Sequence, residues 1–153
     1  MALYVVNALD GHGAFSATVS EANGIDAGQF VKATSTEEIT ATGTVVDKIL
    51  ISICDAAGDE DTCVGIAIED GDNGEVISVA TRGIFRCPMD SANGAITAGM
   101  VVQVGDQATI GYKIEKYDAT DGARPLGQAL TPGDTDDDYV TVRMEMGNGA
   151  GAV

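Results

Sequence analysis

The chain has no tryptophan, three prolines, one histidine and only 5% aromatic residues in 153. A core must therefore be built mainly from Val, Ile, Leu and Ala. The lone His12, with no nucleophile marked by a local motif, argues against Ser-His or Cys-His catalysis. Thr62-Cys63-Val64-Gly65 resembles no nucleophile elbow, and no Gly-x-x-x-x-Gly-Lys-Ser/Thr phosphate loop occurs. An acidic glycosidase pair would lack the usual tryptophan platform for a sugar. Apolar runs are a few residues long, far short of the roughly 20 that span a bilayer. The start, Met1-Ala-Leu-Tyr-Val-Val-Asn7, has neither a basic end nor a long apolar stretch, so neither a signal peptide nor a membrane partner is expected.

Basic residues are also scarce. Eight Lys and Arg stand against 24 Asp and Glu, a net charge of −16. Such a surface repels phosphate backbones, so no nucleic-acid partner is expected. The acids are spread along the chain and read as a solvated shell that favours solubility. A high-salt habitat, or a partner with a basic face, is the sharper alternative.

Cysteine is sparse too. Cys54 and Cys63 flank Asp55-Ala-Ala-Gly-Asp-Glu-Asp-Thr62, read as a hairpin loop, and Cys87 stands alone. A bridge between the first two is sterically open, while free buried thiols are the default without secretion. The spacing is not Cys-x-x-Cys and His12 is distant, so no metal and no cofactor is expected. The acidic stretches Asp70-Gly-Asp-Asn-Gly-Glu75 and Asp134-Thr-Asp-Asp-Asp138 invite a calcium reading. Neither matches the EF-hand loop, and surface turns of an acidic protein look the same.

What the chain does contain is a pattern that occurs twice. Ile25/Ile96, Ala27/Ala98, Gly28/Gly99 and Val31/Val102 coincide at an offset of 71. Gly65/Gly127, Ala67/Ala129, Gly71/Gly133 and Asp72/Asp134 coincide at an offset of 62. The order in each half is Ala-Gly turn, strand, hydrophobic-Gly-x-Ala strand, acidic turn, strand. Two copies are too few for a solenoid and suit one closed all-β domain built from two similar sheets. Period-2 or fully apolar runs predict strands at Gln29–Thr34, Val45–Cys54, Cys63–Glu69, Glu75–Thr81, Ile84–Cys87, Met100–Val104, Gly111–Tyr117, Leu126–Leu130 and Tyr139–Met146. Asn-Gly and Asp-Gly pairs punctuate them. One short helix is allowed near Ser91–Ala98 or Asp118–Ala123.

The expected organisation is an extended N-terminal arm at 1–23, a β domain at 24–146 with halves of about 24–81 and 95–146, and a flexible tail at 147–153. The arm opens on a strand-like run, Leu3-Tyr-Val-Val6, and has no counterpart before the second repeat. The fold class expected is all-β, a compact β-barrel or β-tulip-like domain with an internal two-fold repeat.

Val64-Gly-Ile-Ala-Ile-Glu-Asp70, then Glu75-Val-Ile-Ser-Val-Ala-Thr-Arg-Gly-Ile-Phe-Arg-Cys-Pro88, resembles the head decoration, or capsid cement, proteins of tailed viruses, of the lambda-like type. The likeness continues through Ile96-Thr-Ala-Gly99, Met100–Val104, Leu126-Gly-Gln-Ala129 and Val140-Thr-Val-Arg-Met144. It covers roughly residues 24–146 and lies in the order of short motifs. The long acidic segment Cys54–Cys63 and the insertion Gly105–Ala123 depart from it. The resemblance implies a small, usually trimeric β protein on the outer surface of the virion, with no catalysis. Its partners would be the major capsid protein and further copies of itself. A detachable arm suits that role, because an extended segment can add a strand to a partner's sheet edge. Leu3, Tyr4, Val5 and Val6 are the candidate capsid-binding residues; the alternative is an edge strand of the chain's own barrel. A calcium-dependent β-sandwich interaction module of a secreted or surface protein is the competing function.

Overall fold

The computed structural model describes residues 4–7, 13–41, 44–56, 58–105, 111–120 and 124–146. The tail at 147–153 lies outside them. The fold is all-β. In chain order the strands are β1 (Tyr4–Asn7), β2 (Ala14–Val19), β3 (Phe30–Ala41), β4 (Thr44–Ile53), β5 (Cys63–Ala67), β6 (Val76–Ala80), β7 (Arg82–Pro88), β8 (Val101–Val104), β9 (Ile114–Lys116), β10 (Gly127–Ala129) and β11 (Tyr139–Glu145). A single 3-10 turn, Asp59–Asp61, is the one helical element among the described residues.

The strands form a closed five-stranded barrel, β2-β4-β3-β5-β6, and a six-stranded sheet, β1-β7-β11-β10-β8-β9. The expected strands are all present, with shifted ends. No helix forms near Ser91–Ala98: Gly94, at φ 97°, closes a turn there by donating its N–H to the Ser91 carbonyl at 2.8 Å. At 118–120 the chain is coil and turn as well, and 121–123 lie outside the described residues.

Two expectations are corrected. The stretch after Gly13 is not part of an arm. β2 closes the barrel, pairing antiparallel with β6 and parallel with β4 through Thr18↔Leu50 and Val19↔Ile51. Its small inward residues, Ala17 and Val19, are buried, and Phe15 packs beside them. Small side chains that read as polar linker in sequence are here the filling of a tight barrel. The segment 55–62 is not a hairpin loop either. β4 and β5 do not pair with each other but flank β3 on either side, so the segment crosses over the end of β3. The three cysteines are free thiols.

The repeat is larger than the sequence motifs suggest, because β2 does have a counterpart. Strands β2–β6 correspond to β7–β11. Phe15↔Val79 and Ala17↔Ile77 in the barrel match Phe85↔Val142 and Cys87↔Val140 in the second sheet. Val31↔Gly65 matches Val102↔Gly127. The turn hydrogen bonds repeat as well: Gly28 N–H donates to Ala67 O and Gly99 N–H to Ala129 O, each at 2.7 Å. The parallel β2–β4 contact recurs as an isolated bridge, Met89↔Ile114. The second sheet is thus the same barrel closed by a single bridge, with β1 added on β7.

Packing ties the copies into one core. Val31, Ala67 and Val79 fill the barrel interior. Their alternating neighbours Phe30, Ile66 and Ala80 face outward and join the core of the second sheet with Phe85, Val102, Val140 and Met144. Main chain reinforces this, since Phe30 N–H donates to Gly111 O at 2.6 Å.

Candidate functional site

Of the sequence-derived site residues, Leu3 lies outside the described residues. Tyr4, Val5 and Val6 fall on β1, the edge strand of the second sheet. β1 runs antiparallel to β7, with Tyr4↔Arg86, Val5↔Phe85 and Asn7↔Ile84 and a register shift between Val5 and Asn7. The strand therefore pairs within its own chain. Among the described residues no strand covers its other edge, and such an edge presents a row of N–H and C=O groups that a second chain can pair with.

The acidic turns are built around carboxylates that accept main-chain N–H groups. Asp138 Oδ2 accepts from Asp134 at 2.9 Å and Thr135 at 3.0 Å. Asp136 Oδ1 accepts from the N–H and Oγ–H of Ser91 at 2.7 and 2.8 Å. These bonds favour the charged form and hold both acids below the usual aspartate range. The Asp118 carboxyl is held down in the same way by Thr120. In the first copy Glu75 Oε2 accepts from Asp72 N–H at 2.8 Å, and Asp70 Oδ1 from Ala27 N–H at 2.8 Å. These acids fasten turns, and among the described residues no group of three or more His, Cys, Asp or Glu is placed to hold a metal.

A second polar knot closes the crossover at 55–62. Asp59 Oδ2 accepts from Lys32 Nζ at 2.7 Å and from the N–H groups of Asp55 and Ala56 at 3.2 and 3.0 Å. The hydrogen bond that Lys32 donates to Asp59 raises the Lys32 pKa against the opposing effect of burial. Beside it, a hydrogen bond with Cys63, reinforced by burial, pushes the Cys54 thiol strongly upward. Burial pushes Cys87 up to about 12. Buried, protonated thiols of this kind are poor nucleophiles. Deep in the second sheet Gln103 Nε2 donates to Glu115 Oε1 at 2.6 Å, and Asp118 N–H donates to Gln103 Oε1 at 2.9 Å, pinning the chain after β9.

Sequence reasoning missed a surface feature on β7. The Arg86 guanidinium lies 4.7 Å from the centre of the Tyr139 ring, a cation–π arrangement. Tyr139 and its counterpart in the barrel, Val76, are both exposed large hydrophobic residues. The signal that would have found this pairing is Gly13-x-Phe15 against Gly83-x-Phe85, which places β2 and β7 in one alignment.

The site is thus a set of strand edges and turn faces, suited to holding another protein surface. Among the described residues no helix is long and apolar enough to cross a membrane. No curated protein matches the chain. Among solved structures, the N base of the head fiber gp8.5 of bacteriophage phi29 is similar at 16% identity and a TM-score of 0.48, over 87% of this chain and 93% of that one. The model of one family, phage cement proteins, matches residues 8–145, so both barrels fall within it: the chain belongs to the phage cement protein family and is a structural component of the virion capsid.

Proposed function

We propose that the protein is a non-enzymatic decoration of the outer surface of a phage head, acting as a homotrimer that ties neighbouring major capsid subunits together. The open edge of β1 is the observation that supports this reading most. A strand held on one side by β7 is already ordered, so docking its free edge onto the shell costs little conformational entropy. Leu3, Tyr4, Val5 and Val6 are the proposed contacts. The charge of −16 suits a basic landing surface, which would steer encounter and make binding depend on salt. The trimer rests on the small size of the chain, whose single copy offers limited surface for bridging subunits.

The test removes residues 1–7, stopping short of β2. The truncated protein keeps its β circular dichroism but no longer co-sediments with expanded shells. Full binding by the truncated protein would remove β1 as the contact. Light scattering of the intact protein, free and released from particles, reads the trimer; a monomer in both states would refute it.

A further inference from the structure

We propose that the outward face of β7, β10 and β11 is a contact between copies of the chain, and that it receives the acidic β5–β6 turn of the next copy around Val76. This rests on the trimer proposed above and names its two surfaces. The face follows from the strand alternation. Phe85 and Cys87 on β7, and Val140, Val142 and Met144 on β11, are buried, so the residues between them face outward. Among those, Arg86 and Arg143 are exposed and Arg82 is half-buried. Three of the four arginines of the chain thus share one face. Glu145 is the one acid at the outward positions of these strands, 3.7 Å from Arg82 Nη2. The face is also apolar in part. Tyr139 is 39% exposed under Arg86, and Leu130 is 46% exposed. Leu130 N–H donates to Thr141 O at 2.7 Å, and Thr141 pairs with Arg86. Leu130, Thr141 and Arg86 therefore form one row across three strands. The arginines are no legacy of the repeat, since Arg86 and Arg143 stand where the first barrel has Ser16 and Ala80. Exposed tyrosine and arginine together are the residue types that dominate protein contacts.

Charge selects the occupant. Three arginines and one glutamate leave this face at +2, on a chain whose net charge is −16. A two-fold contact sets a surface against itself, which here would set arginine against arginine. The face calls instead for an acidic, partly apolar surface, and the chain carries one. In the β5–β6 turn Glu69, Asp70, Asp72 and Glu75 are exposed. Among the described residues no ion pair engages them. Val76 follows directly and is 63% exposed. The turn is already fixed, because Asp70 Oδ1 accepts from Ala27 N–H and Glu75 Oε2 from Asp72 N–H, each at 2.8 Å. Docking it orders little chain. The matching turn of the second copy is less suited, since Asp137 is paired with Lys113 Nζ at 3.1 Å and Asp136 holds Ser91. Val76 meets Tyr139 and Leu130, and the acids around it meet Arg86 and Arg143. Face and turn are different surfaces, so the contact is heterologous, and three such contacts close a ring.

Light scattering of full-length variants tests this. Arg86→Glu with Arg143→Glu is expected to weaken association roughly a hundredfold and to give a monomer with unchanged β circular dichroism. Glu69→Arg with Asp72→Arg, which spares the two acids that fasten the turn, is expected to do the same. Combining all four substitutions restores opposite charges across the contact and the trimer mass with them. A conservative variant, Arg143→Lys, keeps the charge and supplies an amine. Carbodiimide is expected to couple it between chains to a carboxylate of the 69–75 turn, as mapped by mass spectrometry. A trimer that survives Arg86→Glu with Arg143→Glu would overturn the face and leave the trimer standing. Survival of the trimer with loss of binding to expanded shells would assign the face to the shell and overturn the second copy as occupant. Two monomeric double variants without restoration in the fourfold variant, or interchain coupling only outside the turn, would overturn the pairing of face with turn. A wild-type protein that is monomeric both free and on particles would overturn this contact together with the trimer.

Discussion

The barrel β2–β6 and the copy of it in β7–β11 share one ladder and wear opposite outer faces. Phe30, Ile66 and Ala80 in the first copy occupy the positions of Val101, Gln128 and Arg143 in the second. The first set is buried in the shared core. In the second set Gln128 and Arg143 are joined at the surface by a 2.9 Å hydrogen bond from Arg143 Nη2 to Gln128 Oε1. What the copies conserve is inward: the alternation that fills each barrel and the turns that close it. The outward face is free to change, and its change decides which copy is covered. The outer face of the first copy therefore packs against the second, while at the matching positions of the second Val101 and Gln128 are half-buried and Arg143 is exposed. Even a strained position persists with a different residue. Gly74 at φ 91° is replaced by Asp137 at φ 69°, aspartate being among the few residues that tolerate the left-handed region.

The sharpest way to break this equivalence is at the two strand glycines. A Cβ on Gly127 would overlap the Arg143 carbonyl oxygen and lie 3.0 Å from Met144 Cα, all main chain of the neighbouring strand. Gly127→Ala is expected to cost more than about 3 kcal/mol, since no rotamer change relieves it. A Cβ on Gly65 would overlap the Val79 Cγ1 methyl and lie 2.7 Å from Ala80 O. The methyl can turn away and the carbonyl cannot, so Gly65→Ala costs roughly 2 kcal/mol. Thermal unfolding of both variants checks the order. Equal, small losses would mean that the ladders are looser than their glycines imply.

The matched phenylalanines give the next effect. Phe85 is fully buried, whereas Phe15 is partly buried at the margin of the barrel core. Phe85→Ala is expected to cost about 3–5 kcal/mol and Phe15→Ala roughly half that or less. Denaturant midpoints read the difference. A Phe15→Ala loss equal to that of Phe85→Ala would show β2 to be as deeply anchored as β7.

These same residues explain what the sequence disclosed. Strand positions and the Ala-Gly and Gly-x-Ala motifs are legible because an inward apolar alternation and glycines at fixed close approaches leave local marks. β2 escaped because within the strand region its match to β7 rests on Gly13 and Phe15, at an offset of 70 that Ala22-Asn-Gly24 shares with Ala92-Asn-Gly94, while the Ala-Gly motif that follows has 71. Its parallel pairing with β4 leaves no periodic trace, since parallel partners are distant in sequence. The β1 run was visible as a strand, but which edge it joins depends on β7 and on the space beside it. Arg86 over Tyr139 cannot be seen before β7 and β11 are known to pair.

The smallest expected difference between the copies is electrostatic. In the turn before β11 Asp138 accepts two main-chain N–H groups, while in the turn before β6 Glu75 accepts one. Because the folded-state pKa values of Asp136 and Asp138 are depressed, their contribution is present above the unfolded value, about 3.9. It is lost as pH falls through the folded values. Acidification from pH 7 acts first in the other direction, because protonating other carboxylates relieves the self-repulsion of a chain at −16. Stability is therefore expected to hold or rise down to about pH 4.5, and the second-copy turn to loosen only below about pH 4. Amide NMR shifts of Ser91, Asp134 and Thr135 report this directly, with midpoints under the ordinary aspartate value. Asp138→Asn keeps an acceptor oxygen but removes the titration, so its Asp134 and Thr135 amides should stop responding while Ser91, held by Asp136, still responds. Midpoints at or above the ordinary value would show that these hydrogen bonds do not hold the carboxylates ionised.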